Sequence, residues 1–246
     1  MKPFPLITAH TGCMGTPDNT MRSIISALNS GVDFVEEDLL ITADGVLVFS
    51  HDDLVQTADG SAFRISQTSY KELSGLELRA HHGAPGETFR LLSLEEILPI
   101  LKDSGMKMNL DLKSDACVEP VSSFIIENEL IQQIILSGCE TERAIMVNHV
   151  NKELRKLLNV DSSLFASTSY SEAVRISCED AKRANCFGMN VNFRLVDAGF
   201  LQMASRHGLD VYVWTVDEES QMKRFIEWGV QSITTRNISA LLNLRM

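Results

Sequence analysis

Glu36 and Asp38 stand two residues apart inside an otherwise apolar run, residues 34–41. In an extended strand, a period of two places both carboxylates on one face and turns Glu37 to the other. Two like charges side by side in an apolar strand repel, and each gives up hydration, unless a cation joins them. A divalent metal is therefore the first chemical reading of the pair, with a solvated strand end as the alternative. His10 closes a short apolar run, and His51 closes another that follows Asp44-Gly45. Asp-Gly is a strong two-residue hairpin turn, so residues 46–51 are expected to fold back antiparallel to 32–40 and return His51 towards the carboxylates. Asp111 and Lys113 repeat the two-residue spacing; taken alone, they read as an ordinary strand-end ion pair.

These residues need a scaffold that brings strand ends together. Apolar runs and helical spacings predict strands near 7–10, 34–39, 108–112, 144–148, 164–167, 186–191, 211–215 and 232–235. Helices are expected over 20–30, 94–103, 118–137, 152–158, 171–184, 196–207 and 217–228, with Thr20 capping the first and Ser93 with Glu96 forming a capping box for the second. Eight parallel strands alternating with helices make an α/β protein of the (β/α)8, or TIM barrel, class. The expected whole is one domain, 1–246, with a β-hairpin after strand two and a weakly periodic insertion, 52–90, whose length suits a lid. In such barrels reactive groups sit at the C-terminal ends of strands, where His10, Glu36, Asp38, Asp111, Lys113 and Trp214 all fall.

Composition narrows the function. Lys and Arg number 22 against 33 Asp and Glu, a net charge of −11. That field repels polyanions and argues against nucleic acid or an anionic membrane as partner. A small molecule is expected instead; the oligomeric state is left open. Five cysteines without a C-x-x-C pair favour free thiols in a reducing compartment, and Cys13, beside His10, is a weak candidate nucleophile. With no run resembling a signal peptide and none approaching the ~20 apolar residues of a membrane span, the expected location is cytoplasmic.

The ordered segments His10-Thr11-Gly12, Asp18-Asn19-Thr20, Gly31 to Asp38, Thr42 to Asp52, Asp111-Leu112-Lys113 and Trp214-Thr215-Val216-Asp217 resemble the glycerophosphodiester phosphodiesterase family. That family is a TIM-barrel group related to phosphatidylinositol-specific phospholipase C. The resemblance implies hydrolysis of a glycerophosphodiester, with His10 and His51 as general acid and base. It implies one divalent cation, Mg2+ or Ca2+, on Glu36, Asp38 and Asp111, with Lys113 and Thr11 towards the phosphate; Trp214 and Phe193 are candidates for an apolar wall against the substrate or for the core, and the insertion's His81 and His82 for substrate contact or simple exposure. Alternatives are a lysophospholipase D-like or other phosphoester hydrolase of the same superfamily, or a non-catalytic barrel that binds a phosphometabolite. The sequence departs from the family pattern at Thr11, where an arginine is expected, at Asp18 and Asp111, each in place of a glutamate, and at Thr235, read as replacing the aspartate of a late Ile-x-Thr-Asp segment. The missing arginine leaves metal and Lys113 as the expected holders of the phosphate.

Overall fold

The computed structural model describes residues 3–80, 82–84 and 86–245; His81 lies outside them. Eight parallel strands form the core: β1 (Leu6–Ala9), β2 (Phe34–Ile41), β3 (Met108–Leu112), β4 (Ile134–Cys139), β5 (Lys156–Asn159), β6 (Gly188–Asn192), β7 (Asp210–Trp214) and β8 (Ser232–Thr235). β1 pairs with both β2 and β8, which closes the sheet into a (β/α)8 barrel. The main helices follow the strands: α1 (Met21–Asn29), α2 (Leu98–Ser104), α3 (Val118–Glu127), α4 (Thr141–Val150), α5 (Tyr170–Arg183), α6 (Ala198–Arg206), α7 (Glu219–Trp228) and α8 (Ile238–Arg245). In α1 the cap is the expected one, since the Thr20 hydroxyl accepts from the Ser23 N–H and the helix buries Ile24 and Ala27.

The strand count agrees with the sequence reading, but two of the eight strands come from other segments. Residues 144–148 lie inside α4 and 164–167 form a short helix, whereas β4 occupies the end of the expected helix 118–137 and β5 the end of the expected helix 152–158. The reason is a loss of contrast. Ile134 to Leu136 is a continuous apolar run, which periodicity cannot assign to helix or strand. α4 buries only Ala144 and Val147, too thin a stripe to announce a helix. α3 stops well before 137, where Glu129 takes a positive φ of 61°.

The hairpin after β2 returns through Leu47–Phe49, antiparallel as expected. Its connection is three residues rather than two, because Thr42 N–H donates to the Val46 carbonyl and Gly45 N–H to that of Thr42. Beyond it, the insertion folds as two small hairpins and a short helix around its own apolar cluster, Val55, Ile65, Leu73 and Leu78, set on Leu40 and Val48. It is tied to the loop after β1 and to α1 by His82–Asp18 at 2.6 Å and Arg22–Glu87 at 2.7 Å.

Gly138, near the end of β4, shows how tightly the site end of the barrel is closed. It has φ +66°, and a Cβ there would lie 2.4 Å from both Asp111 Oδ1 and the Leu112 carbonyl. Gly138→Ala is therefore expected to cost at least about 2 kcal/mol, adding the overlap to the strain of a left-handed residue. Urea unfolding checks this; an unchanged midpoint would show that the strand end relaxes without cost.

Candidate active site

The pleat and register of two neighbouring strands build the centre of the site. β2 and β3 pair in parallel with Glu36 opposite Asn109 and Asp38 opposite Asp111, so one face presents three carboxylates and an amide at the barrel mouth. They line a cavity of about 480 Å3 with His10, Asp18, His51, Lys113, Trp214 and Arg236, while the insertion adds Arg79, His82 and Phe89 over the opening. Glu37 points the other way, as strand alternation requires, and accepts a 2.5 Å bond from the Thr11 hydroxyl.

Each acidic group meets its burial differently. Asp38 is bonded by Lys113 Nζ at 2.8 Å and Asn19 Nδ2 at 3.0 Å. Burial opposes ionisation, yet the Lys113 charge and these bonds hold Asp38 below the usual carboxylate range. Lys113 also reaches Asp111 at 3.0 Å. Against its own desolvation, Asp111 and Asp38 push the ammonium above its ordinary value. Glu36 keeps a 3.3 Å bond from the Thr11 N–H and lies 3.7 Å from His10 Nδ1. Burial, then the charges of Asp38 and Asp111, raise it well above the ordinary range.

The two histidines are set differently. His10 Nδ1 donates to the Thr11 carbonyl at 3.0 Å, which fixes the tautomer and leaves Nε2 as an acceptor. Burial first, then the Arg236 charge, lowers its pKa. His51 is exposed at the rim, and its Nδ1 donates to Asp52 at 2.8 Å.

Most of the expected residues are brought together, with three corrections. Thr11 is not among the residues lining the cavity: its hydroxyl is spent on Glu37 and on the Asn19 N–H, at 2.5 and 2.6 Å, so it offers nothing to a ligand. Phe193 packs edge-on against Phe225 and is likewise absent from the lining. Thr235 is buried and donates to Asp217, and the Ile-x-Thr-Asp pattern set on Ile233-Thr234-Thr235 puts Arg236, not Thr235, at its fourth position. Arg236 is the residue sequence reasoning missed; the signal was a charge at the very end of a barrel strand. Cys13 is buried, and burial followed by Glu37 pushes its thiol up to about 11, which removes it as a nucleophile at neutral pH.

Whether the carboxylates suit a metal turns on donor chemistry. Glu36, Asp38 and Asp111 are oxygen donors with one positive charge, Lys113, between them, and the neighbouring Asn109 Oδ1 is a buried acceptor without a partner among the described residues. This set suits a hard divalent cation. Among the described residues, however, no three His, Cys, Asp or Glu side chains are already gathered as ligands, since Lys113 bridges two of the carboxylates. Trp214 Nε1 is a second buried polar atom without a partner, on a side chain that lines the cavity.

A (β/α)8 barrel with acids, histidines and cations around the C-terminal mouth defines a barrel hydrolase-type site. The chain belongs to the glycerophosphoryl diester phosphodiesterase family, which residues 10–240 match. It is 27% identical to the glycerophosphodiester phosphodiesterase of Caldanaerobacter subterraneus over 241 residues, 97% of each chain. Among solved structures, a glycerophosphodiester phosphodiesterase from Parabacteroides distasonis matches with a TM-score of 0.78 at 20% identity, covering 100% of this chain and 98% of that one. A phosphodiesterase of Oleispira antarctica, solved in complex with the product sn-glycerol-3-phosphate, matches with a TM-score of 0.77 at 22% identity, covering 98% and 97%.

The Thr11 assignment can be tested apart from catalysis. Thr11→Val removes a donor to buried Glu37 and an acceptor for Asn19, so it is expected to cost about 1–3 kcal/mol in urea unfolding. Affinity for inorganic phosphate is expected to stay within about twofold, given that a hydroxyl with no ligand contact contributes no binding energy. Undiminished stability with weakened phosphate binding would return Thr11 to the ligand.

Proposed function

We propose that the protein hydrolyses a glycerophosphodiester to sn-glycerol 3-phosphate and an alcohol. The observation that carries this reading is the placement of His10, with Nε2 open, beside the Glu36, Asp38 and Asp111 cluster in one cavity, in a chain of this family.

Phosphodiester cleavage needs a base on the attacking oxygen, an acid on the leaving alkoxide and positive charge on the phosphoryl oxygens. The Thr11 carbonyl holds Nδ1–H of His10, so Nε2 is the atom that takes the proton from the nucleophile. His51, bonded to Asp52 at the rim of the same cavity, is the group that supplies the proton to the leaving alkoxide in this reading. Trp214 and Phe89 give apolar walls, and the Trp214 indole N–H is free for a substrate oxygen. Glu36, Asp38 and Asp111 would hold Mg2+ or Ca2+, whose contribution when bound is Lewis-acid polarisation of a phosphoryl oxygen.

With glycerophosphocholine as substrate, phosphorus NMR is expected to show sn-glycerol 3-phosphate. His10→Ala and His51→Ala should each lower kcat by about 10²–10⁴-fold, the usual worth of a general acid or base. EDTA should suppress turnover, and millimolar Mg2+ or Ca2+ should raise Tm by binding the folded state alone. Undiminished turnover in both histidine variants would refute their assignment, and a Tm indifferent to either cation would refute the metal.

A further inference from the structure

We propose that Arg236 is the phosphate-binding cation of this site and directs the diester towards His10, a role that rests on the function proposed above. Three observations lead there. The other basic side chains of the cavity have partners of their own: Lys113 is held by Asp38 and Asp111, His82 is bonded to Asp18, and Arg79, on the insertion, donates to the Ala58 carbonyl. Thr11 is turned away into its bonds with Glu37 and Asn19. Arg236 remains, entering the same cavity as His10 from the adjacent end of β8.

The guanidinium is held in place yet not used up. Its backbone N–H donates to Asp217 Oδ1 at 2.8 Å, which anchors the residue to the loop after β7. Its Nε donates to the Thr11 carbonyl at 3.1 Å, the same oxygen that receives His10 Nδ1 at 3.0 Å. Nη2 lies a long 3.6 Å from Asp18 Oδ2. Those contacts take the Nε side of the planar group. The end-on pair of N–H donors, on Nη1 and Nη2, has no closer partner among the described residues, and 32% of the side chain is exposed. A guanidinium edge of this kind matches two phosphoryl oxygens. Because one carbonyl orients both side chains, an anion bound by Arg236 is set next to His10 Nε2. Asp18 balances the charge of Arg236 loosely, at a distance that leaves the guanidinium open to a phosphodiester monoanion.

The test is a set of Arg236 variants measured in two ways. Kinetics with glycerophosphocholine are expected to show KM raised about 10- to 100-fold in Arg236→Ala, the range of one lost charge-assisted pair, with a smaller loss in Arg236→Lys. Added methylguanidinium should restore part of the loss in Arg236→Ala and do nothing for the wild type, a response that a merely structural arginine would not give. Arg236→Gln, which keeps a neutral donor near the Thr11 carbonyl, guards against a folding defect and should bind as weakly as Arg236→Ala. Calorimetry with inorganic phosphate and sn-glycerol 3-phosphate reads the same site without turnover. If the wild type cleaves no glycerophosphodiester, the proposed reaction fails while calorimetry still decides on Arg236. Equal phosphate affinity in wild type, Arg236→Ala and Arg236→Gln would overturn the proposal, and so would an unchanged KM in those variants.

Discussion

Three consecutive carboxylates, Glu36, Glu37 and Asp38, are buried at the end of β2, and the barrel mouth is arranged around keeping them there. Left without partners, each ion would cost several kcal/mol. Strand alternation divides the load between two sides of the sheet. Glu37 goes outward to the Thr11 hydroxyl, while Glu36 and Asp38 go inward, where register adds Asp111 beside them. The loop after β1 is fixed by the same need: Asn19 bonds Asp38 through both its amide nitrogen and its amide oxygen, and Thr11 bonds Glu36 and Glu37. Gly12 is required there because a Cβ would sit 1.7 Å from Asp18 Oδ1.

That distribution of charge decides which groups are free for chemistry. Lys113 is shared between Asp38 and Asp111, leaving Glu36 as the acid least provided for. The Thr11 carbonyl gathers His10 and Arg236. On the proposed reading, a cation beside Glu36 and an anion beside Arg236 would be complementary occupants of one cavity, the polarity that a metal-assisted phosphodiester cleavage calls for.

The chemistry was more legible in the sequence than the fold boundaries were. Glu36, Asp38, His10 and Asp111 could be placed on one rim because a two-residue period and strand-end positions are local properties of the chain. The same local signals failed at β4 and β5: Ile134 to Leu136 is apolar on both faces, and α4 has too thin a buried stripe to show its period. Thr11 and Arg236 were misjudged for a different reason. Whether a strand-end side chain faces the cavity depends on a neighbour far away in sequence, Glu37 for Thr11 and the Thr11 carbonyl for Arg236, and no pattern within either segment carries that information.

The most direct measurement of this division of charge is a crystal soaked with Mn2+ and sn-glycerol 3-phosphate, with anomalous scattering used to locate the ion. The expected map places the ion among Glu36, Asp38 and Asp111 and the phosphate between it and the end-on edge of Arg236, with His10 Nε2 facing the phosphorus. A phosphate bound away from Arg236, or no ion beside Glu36, Asp38 and Asp111, would contradict it.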